Sequence, residues 1–293
     1  MFAESTSTAV RPPRILSNTS EIFAIVQAAR TAGKTIGLVP TMGALHDGHL
    51  SLVETSVREC DMTVTTIFVN PFQFGSGEDL STYPRSEGTD IQRLTELGVD
   101  VVFIPAVNEM YPPGFSTSIN PPAIAEPLEG RCRPGHFQGV STVVLKLLHL
   151  IPADIVYFGQ KDYQQSLIIR QTIHDLNVPV RMVLCPTVRT PKGLALSSRN
   201  ACLSPDESEQ ALALSRSLNL AADLVQQGQR DAAAIVAKMR QVFADAGIAR
   251  IDYIALANPE TLADTRHVTQ PTMALVAAWV GNTRLIDNEL LVP

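Results

Sequence analysis

Short apolar runs that alternate with helical patterns constrain the fold of this chain more than any other feature. Nearly continuous apolar runs, read as candidate strands, occupy residues 35–39, 63–69, 99–104, 154–158 and 180–184. Helical patterns lie between them, at residues 49–60, 86–97, 139–150 and 162–176. Strands without polar alternation are typical of a parallel sheet that helices cover on both faces. The order therefore predicts an α/β fold with a doubly wound parallel sheet.

The last third of the chain has a different character. Ser204 followed by Pro205 and Glu207 is a helix start, with a capping serine and an acid three residues later. An Ala/Leu-rich helix follows to about residue 227, a second spans about 231–246, and strand-like segments lie near 250–257, 272–279 and 284–291. This pattern predicts a smaller C-terminal α+β domain. We therefore expect an N-terminal domain of residues 1–188 and a C-terminal domain of residues 189–293.

Composition and charge narrow the classes of function. The chain has 293 residues, a formal net charge of −6 and an isoelectric point of about 5.5, which gives no sign of a nucleic-acid-binding protein. The four cysteines, Cys60, Cys132, Cys185 and Cys202, are far apart and form no CxxC pair. We therefore expect reduced thiols in a cytoplasmic protein, with no zinc ribbon and no thioredoxin motif.

The sequence predicts no association with a membrane. The longest apolar stretch, around residues 140–158, contains Lys146, His149 and Asp154, each of which is costly in lipid. The N-terminal segment contains Glu4 and no apolar core of a secretory signal. We expect it to be a tail that becomes ordered at about Ile15.

The segment PTMGALHDGH, at residues 40–49, follows the first candidate strand and opens a helix. A helix start at the carboxyl end of a parallel strand suits phosphate, because its N–H groups are unpaired. Gly43 and Gly48 leave space for a close ligand, and His46 and His49, three residues apart, can donate to phosphate oxygens. Two alternatives stay open at this point: the histidines cap the helix, or they bind zinc with a third ligand that is not evident nearby.

Two further polar segments have the same type of placement. Lys161 and Asp162, in FGQKDYQQ, follow a strand and could contact triphosphate and either Mg²⁺ or a ribose hydroxyl. Ser197, Ser198 and Arg199, in GLALSSRN, could bind an anion. Each has an ordinary alternative, since a Lys-Asp pair is usually solvated and adjacent hydroxyls often cap a helix.

Gln73 lies just past the second candidate strand, in NPFQF, where a neutral amide can bind a hydroxyl or a carboxylate.

Three common motifs are absent from the sequence. There is no GxxxxGK[ST] of a P-loop enzyme, no GxGxxG after a strand and no GxSxG nucleophile elbow.

Six blocks in order carry a resemblance to known proteins. The HxGH turn resembles the nucleotidyltransferase superfamily, and the blocks PTMGALHxGH, FVNPxQF, YPR, LEGxxRPGHFxGV, GxKDYQQ and GLAxSSRN together resemble the pantothenate synthetase family. These blocks span about residues 40–200, and the general layout fits to the C-terminus. The resemblance implies ATP-dependent condensation of pantoate with β-alanine through a pantoyl adenylate. It also implies a Rossmann-like N-terminal domain, a C-terminal lid domain, Mg²⁺ with ATP, and a cytoplasmic homodimer.

The resemblance also implies roles for individual residues. His49, His46 and Lys161 would be catalytic, with His49 as a proton donor or charge stabiliser, and Gln73 and Gln165 would bind pantoate. ATP would contact Met42, Gly43, Ala44, Leu45, His46, Asp47, Gly48, His49, Gly159, Gln160, Lys161, Asp162, Val188, Leu196, Ser197, Ser198 and Arg199.

This chain departs from the family pattern at three positions, 160, 196 and 89. Leu196 replaces a frequent Met, and Gln160 replaces a frequent Glu. Asp90 corresponds to an acid near Mg²⁺, but its neighbour, often acidic in the family, is Thr89.

Two other functions are considered. A nucleotidyltransferase that transfers AMP or CMP to a phosphate-bearing acceptor would share the HxGH turn but would need a basic acceptor pocket, where this chain has Gln73 and Gln165. A nucleotide-binding regulatory module would need fewer than three phosphate-type segments.

Overall fold

The computed structural model describes residues 11–75, 78 and 80–293, and over this part of the chain the first sheet has six parallel strands. In chain order they are β1 (Arg14–Leu16), β2 (Ile36–Thr41), β3 (Met62–Ile67), β4 (Val101–Phe103), β5 (Ile155–Gly159) and β6 (Arg181–Cys185). Their spatial order is β1-β4-β3-β2-β5-β6. The doubly wound parallel sheet is confirmed, and so are the strands predicted from the apolar runs.

Helices connect these strands. They are α1 (Thr19–Thr31), α2 (Asp47–Glu59), α3 (Glu87–Glu96), α4 (Val107–Met110), α5 (Glu129–Cys132), α6 (His136–Leu150) and α7 (Tyr163–Asp175), with 3₁₀ turns at Pro71–Gln73, Ala123–Ala125 and Gln160–Asp162.

Both faces of the sheet are buried, which explains why its strands lack polar alternation. On β5, Val156 packs in the core that α1 and α6 cover, and its neighbour Ile155 packs in the core that α2 and α3 cover. Successive side chains of a strand point to opposite faces, so one run of apolar residues supplies two cores. Burying each such side chain contributes about 1.5–3 kcal/mol.

The strand order reverses beside β2, which pairs in parallel with β3 on one side and with β5 on the other. In sheets of this type, ligands bind outside the carboxyl ends of the strands at this switch point. Thr41 ends β2 and Gly159 ends β5. The fold therefore brings together the two segments that follow these strands, although more than 100 residues separate them in the sequence.

The C-terminal part forms a separate layer of two helices on an antiparallel sheet. Its elements are a 3₁₀ turn at Ser198–Cys202, helices α8 (Pro205–Gln226) and α9 (Ala232–Asp245), and strands β7 (Ile251–Ala257), β8 (Thr272–Val280) and β9 (Thr283–Leu291). The strand order is β7-β8-β9, so β9 is an edge strand. Ser204 and Glu207 form the predicted capping box, in which each side chain bonds the other residue's backbone N–H. The buried residues of these helices and strands form their own hydrophobic core.

The N-terminal elements β1 and α1 were not predicted from the sequence. Helix α1 begins after Asn18, whose side chain caps it, and it buries Ile22 and Val26 one helical turn apart. Arg14 already pairs with β4, one residue before the expected start at Ile15. The expected N-terminal tail falls largely on residues 1–10, which lie outside the described residues. Within the described part of the chain, no helix has the length and apolar character that crossing a membrane requires.

Candidate active site

A buried carboxylate shapes the segment that follows β2. Gly43 has φ of 78° and Ala44 has φ of 50°, a left-handed region that residues with a Cβ seldom adopt. Asp90, on α3 and only 1% exposed, accepts hydrogen bonds from the backbone N–H of Ala44 at 2.8 Å and of Leu45 at 2.9 Å. Hydrogen bonds to an ionised carboxylate are among the stronger ones, so Asp90 stabilises this turn without any ligand.

The structure thus gives Asp90 a different task from the metal contact that the resemblance implies. Each of its oxygens accepts from the turn, and Oδ1 also accepts from Ser86 Oγ at 3.1 Å. Within the described residues, no group of three or more His, Cys, Asp or Glu side chains could hold a metal ion. Three hydrogen bonds from the protein thus already use most of the acceptor capacity of this carboxylate, and a contact between Asp90 and Mg²⁺ stays a prediction.

His46 and His49 cap helix α2 through their Nδ1 atoms. The backbone N–H of Gly48 donates to His46 Nδ1 at 3.1 Å, and that of His46 donates to His49 Nδ1 at 3.4 Å. The two rings stack with centroids 4.0 Å apart. Because Nδ1 accepts in both rings, a neutral imidazole carries its proton on Nε2. Capping and ligand binding are therefore compatible, since the cap leaves Nε2–H as a donor.

The environment keeps both histidines neutral at pH 7. Burial, followed by the positive charge of Lys161, lowers the pKa of His46 from 6.5 to about 4. Burial, followed by His46 and Lys161, lowers the pKa of His49 well below 6.5. A neutral imidazole can donate a hydrogen bond to developing charge but holds no extra proton to transfer. For His49 this favours charge stabilisation over proton donation.

The turn after β5 carries one of the cations of the site, Lys161. The Lys161 side chain is 18% exposed, and its Nζ lies 3.7 Å from Asp162 Oδ1. Two main-chain carbonyls of this turn, those of Gln160 and Lys161, accept hydrogen bonds from Asn288 Nδ2 on β9 at 3.0 and 2.8 Å. Both halves of the chain therefore hold the turn in place.

The third polar segment begins with a short hairpin. The backbone N–H of Leu196 donates to the Val188 carbonyl at 3.0 Å. Ser197 Oγ then accepts from the backbone N–H of Arg199 at 3.3 Å, which caps the turn Ser198–Cys202. The expected capping role of the hydroxyls is thus present for Ser197. This turn places Ser198 and Arg199 at the cavity.

Gln73 and Gln165 differ in how the protein holds them. Gln73 is 9% exposed, its Oε1 accepts from Asn70 Nδ2 at 3.2 Å, and its Nε2 lies 2.9 Å from Met42 Sδ. Gln165 is half-buried on α7, and its side chain makes no hydrogen bond with the part of the chain that the structure describes. Gln165 therefore keeps its donors and acceptor for a ligand.

The turn that carries Gln73 lies directly on helix α6. A Cβ atom at Gly139 would collide with the Phe72 carbonyl oxygen and would lie 2.6 Å from the backbone N of Gln73. Only glycine permits this approach. Further along the same helix, three valines form an apolar wall of the cavity: Val140, Val143 and Val144.

One cavity of about 1370 Å³, counting the space continuous with solvent, joins these segments. The predicted site residues that line it are Met42, His46, Gly48, His49, Gln73, Gly159, Lys161, Asp162, Gln165, Val188, Leu196, Ser197, Ser198 and Arg199. The cavity therefore brings residues of all three polar segments and the two glutamines to one place.

The other predicted site residues do not line the cavity, and each has another structural task. Leu45 packs in the core beneath α2. The side chain of Asp47 is 69% exposed and pairs with Arg93 at 2.7 Å. The remaining four hold or form the two turns: Gly43, Ala44, Gln160 and Asp90.

Arg133, His136 and Tyr83 are among the cavity residues that received no role from the sequence. Arg133 forms two hydrogen bonds with Glu78, at 3.0 and 2.6 Å, and its Nη1 lies 3.0 Å from His136 Nε2. His136 Nδ1 lies 2.8 Å from the Gln73 carbonyl oxygen, and Tyr83 Oη lies 3.1 Å from Ser198 Oγ. The sequence could have indicated them, because they belong to the LEGxxRPGHFxGV and YPR blocks of the family resemblance.

Relatives of known name match almost the whole chain. The family described as pantoate-beta-alanine ligase matches residues 14–290. Pantothenate synthetase of Moorella thermoacetica is 46% identical over 277 residues, 94% of this chain and 98% of the relative. Pantothenate synthetase of Koribacter versatilis is 48% identical over 278 residues, 95% of this chain and 96% of the relative.

Solved structures give the same result at the level of the fold. Pantothenate synthetase from Thermus thermophilus superposes with a TM-score of 0.91 at 42% identity, over 96% of this chain and 100% of that one. Pantoate-beta-alanine ligase from Francisella tularensis, complexed with beta-gamma ATP and beta-alanine, superposes with a TM-score of 0.80 at 37% identity, over 95% and 97%. With its motifs at one cavity and its full-length relatives agreeing, the chain belongs to the pantoate–β-alanine ligase family.

Proposed function

We propose that this chain joins pantoate to β-alanine at the described cavity, with ATP as co-substrate. In the first half-reaction a carboxylate oxygen of pantoate attacks the α-phosphorus of ATP, the bond from that phosphorus to the β-phosphate oxygen breaks, and pyrophosphate leaves. In the second, the β-alanine nitrogen attacks the acyl carbon, AMP leaves with the bonding pair, and the nitrogen loses a proton. Activation is needed because a free carboxylate is a poor electrophile.

The observation that supports this proposal best is that one cavity holds two chemically different sets of groups. Lys161, the neutral imidazoles of His46 and His49, and the segment Ser197–Arg199 offer the cation and N–H or O–H donors that a triphosphate needs. Gln73 and the valine wall offer an uncharged amide beside apolar surface. Pantoate carries two hydroxyls, which suit the amide, and a carbon with two methyl groups, which suits the valine wall. It therefore matches the second set of groups.

These two sets define the proposed roles of the residues. Lys161, His46, His49, Ser198 and Arg199 contact the phosphates, and the backbone of Val188 lies against the adenine. Gln73 and Gln165 bind pantoate, and Gln73 also reaches β-alanine. The other predicted residues of the two turns act by shaping the main chain.

Mg²⁺ is proposed to reach the site on the phosphates of ATP. When bound, the ion neutralises part of the triphosphate charge. Asp90 supports the turn after β2, and among the described residues the acidic side chain on the cavity wall is that of Asp162. The protein's own contribution to charge neutralisation comes from Lys161 and Arg199 together with the neutral hydrogen-bond donors.

The larger organisation is proposed on the same grounds. Residues 1–188 would form the ATP- and pantoate-binding domain and residues 189–293 a lid domain, because the two parts have separate hydrophobic cores. We propose a cytoplasmic homodimer, in line with the resemblance. Strand β6 offers a free edge of the first sheet, with Leu184 41% exposed on it. Sedimentation equilibrium at the mass of a single chain would contradict the dimer.

Exchange of labelled pyrophosphate into ATP tests the reaction itself. We expect exchange with pantoate and none with a panel of other small acids, because only adenylate formation on the accepted acid is reversible in this way. With β-alanine and Mg²⁺ present, the stoichiometric products should be AMP and pyrophosphate. Formation of ADP, or nucleotidyl transfer to a phosphate-bearing acceptor without pantoate, would contradict the proposal and favour the nucleotidyltransferase alternative.

Gln165→Ala is expected to weaken the use of pantoate by about five- to 150-fold while ATP affinity stays nearly unchanged. The lost hydrogen bonds are to the acid, each worth about 1–3 kcal/mol when buried, and the amide adds no charge that holds triphosphate. The measurement is the pantoate dependence of exchange, together with ATP affinity by calorimetry. The melting temperature should not change, because Gln165 bonds no described residue.

The neighbouring Gln164→Ala is the matched control. Gln164 is 3% exposed and its Nε2 donates to the carbonyls of Ile124 and Pro127, at 2.9 and 2.8 Å. The same deletion there should lower the melting temperature with less effect on the pantoate dependence. If Gln165→Ala instead loses ATP affinity and keeps its response to pantoate, the amide belongs to the nucleotide half of the site.

A further inference from the structure

Strand β9 lies between two segments of the cavity and bonds both of them. Asp287 and Asn288 are consecutive on this edge strand, and consecutive side chains of a strand point to opposite faces. Asp287 contacts the hairpin that leads to the serines of the site, and Asn288 contacts the turn that carries Lys161. One short piece of the C-terminal domain thus contacts both proposed ATP-binding segments.

Asn288 bonds only the main chain of the turn. Its side-chain Nδ2 donates to the carbonyls of Gln160 at 3.0 Å and of Lys161 at 2.8 Å, and the residue is 2% exposed. Its Oδ1 is buried and has no hydrogen-bond partner among the described residues. The amide therefore serves as a double donor, a task that an isosteric carboxylate performs poorly because two carbonyl oxygens face it.

Asp287 fixes the other segment by charge. Its carboxylate accepts from Arg189 Nη1 at 2.6 Å and from Nη2 at 3.0 Å, and its side chain is 2% exposed. The same guanidinium donates to the Gly193 carbonyl within the hairpin at 3.3 Å. A paired planar geometry of this kind constrains direction as well as distance. The hairpin and the Lys161 turn are consequently held relative to each other through β9.

We infer that Asn288 is a positioning residue for Lys161 in the adenylation half-reaction; this inference rests on the proposed function. Asn288 does not line the described cavity, so its effect passes through the two carbonyls that it bonds. The ammonium of Lys161 acts as a point charge whose value depends on where the turn presents it. A displacement of a catalytic group by about 1 Å can lower the rate about 10²-fold. The two hydrogen bonds from Asn288 therefore affect catalysis through the position of the Lys161 ammonium.

The test replaces Asn288 by aspartate, which preserves size and removes both donors. Pantoate-dependent ATP–pyrophosphate exchange should fall by about tenfold or more, the scale of leaving buried carbonyls unpaired. Aminolysis of supplied pantoyl adenylate should stay within about threefold, since no triphosphate takes part. Asn258→Asp is the control: Asn258 is exposed in the same domain and its Oδ1 only accepts hydrogen bonds, so both half-reactions should be unchanged.

A double variant separates positioning from a general structural effect. If Asn288 acts through Lys161, then Asn288→Asp adds no further loss of exchange in a Lys161→Ala background. An equal fold-loss in both backgrounds, or equal loss in both half-reactions, would overturn the inference. Asn288→Ser keeps one donor and serves if the aspartate variant does not fold. Absence of pantoate-dependent exchange in the unaltered protein is a distinct result, which refutes the proposed function instead.

Discussion

Replacing Lys161 by alanine is expected to slow pantoyl-adenylate formation by about 10²–10³-fold, the scale of losing one group that stabilises charge in the transition state. The Lys161 side chain is largely buried in the cavity that His46 and His49 also line, and these two imidazoles are neutral and cannot replace its charge. Arg133 and Arg199 also line the cavity, but they come from other segments of the chain. The triphosphate is present in the first half-reaction and absent from the second. Aminolysis of preformed pantoyl adenylate should therefore remain within about threefold.

Single-turnover assays of each half-reaction give this measurement. Lys192→Ala is the matched control, because it removes the same charge from an exposed lysine that pairs with Glu209 at 3.0 Å, outside the cavity lining. We expect that control to stay within about twofold in both steps. Equal losses in both half-reactions of Lys161→Ala would mean that the lysine supports the AMP part or the fold.

His49→Ala is expected to reduce adenylate formation by a similar factor, about 10²–10³-fold. The structure adds a complication, since His49 Nδ1 also accepts from the backbone N–H of His46. Loss of a helix cap alone costs about 0.5–2 kcal/mol of stability. A fall in activity must therefore be separated from a weakened start of α2, by measuring the melting temperature beside the adenylation rate.

Two amide substitutions separate these tasks of His49. Asparagine places a polar atom near the position of Nδ1 and lacks the distal donor, whereas glutamine places its Nε2 near that of the imidazole. His49→Asn should keep the cap and lose activity like alanine, and His49→Gln should recover a substantial part of the rate. If the asparagine variant retains most of the activity, the histidine is a cap and contributes little to catalysis.

The fold was predictable where its signals are local. Continuous apolar runs indicated the buried strands, and the Ser204–Glu207 pair marked the start of α8. Strand β1 was not predicted because three residues are too few to show a strand pattern. Its formation also depends on pairing with β4, which lies more than 80 residues away in the sequence. Helix α1 was missed even though Ile22 and Val26 have helical spacing.

The candidate site was predictable as a set of segments but less well as individual side chains. Motifs after β2 and β5 indicated which groups meet, because parallel strands end at one edge. The sequence could not show that Asp90 bonds the turn 45 residues before it, or that Asn288 bonds a turn 127 residues before it. Such pairings arise from the tertiary fold, and no local pattern records them.

The contact at Gly139 determines how this enzyme could be redesigned to accept another acid. Any side chain there would push against the main chain of Phe72 and Gln73, so the amide that we propose for binding the acid would shift as well. Val143 and Val144 lie further along the same helix and also border the cavity. Changes in the size of the accepted acid are therefore best sought at these valines, where volume can vary while the hydrogen-bonding geometry stays as it is.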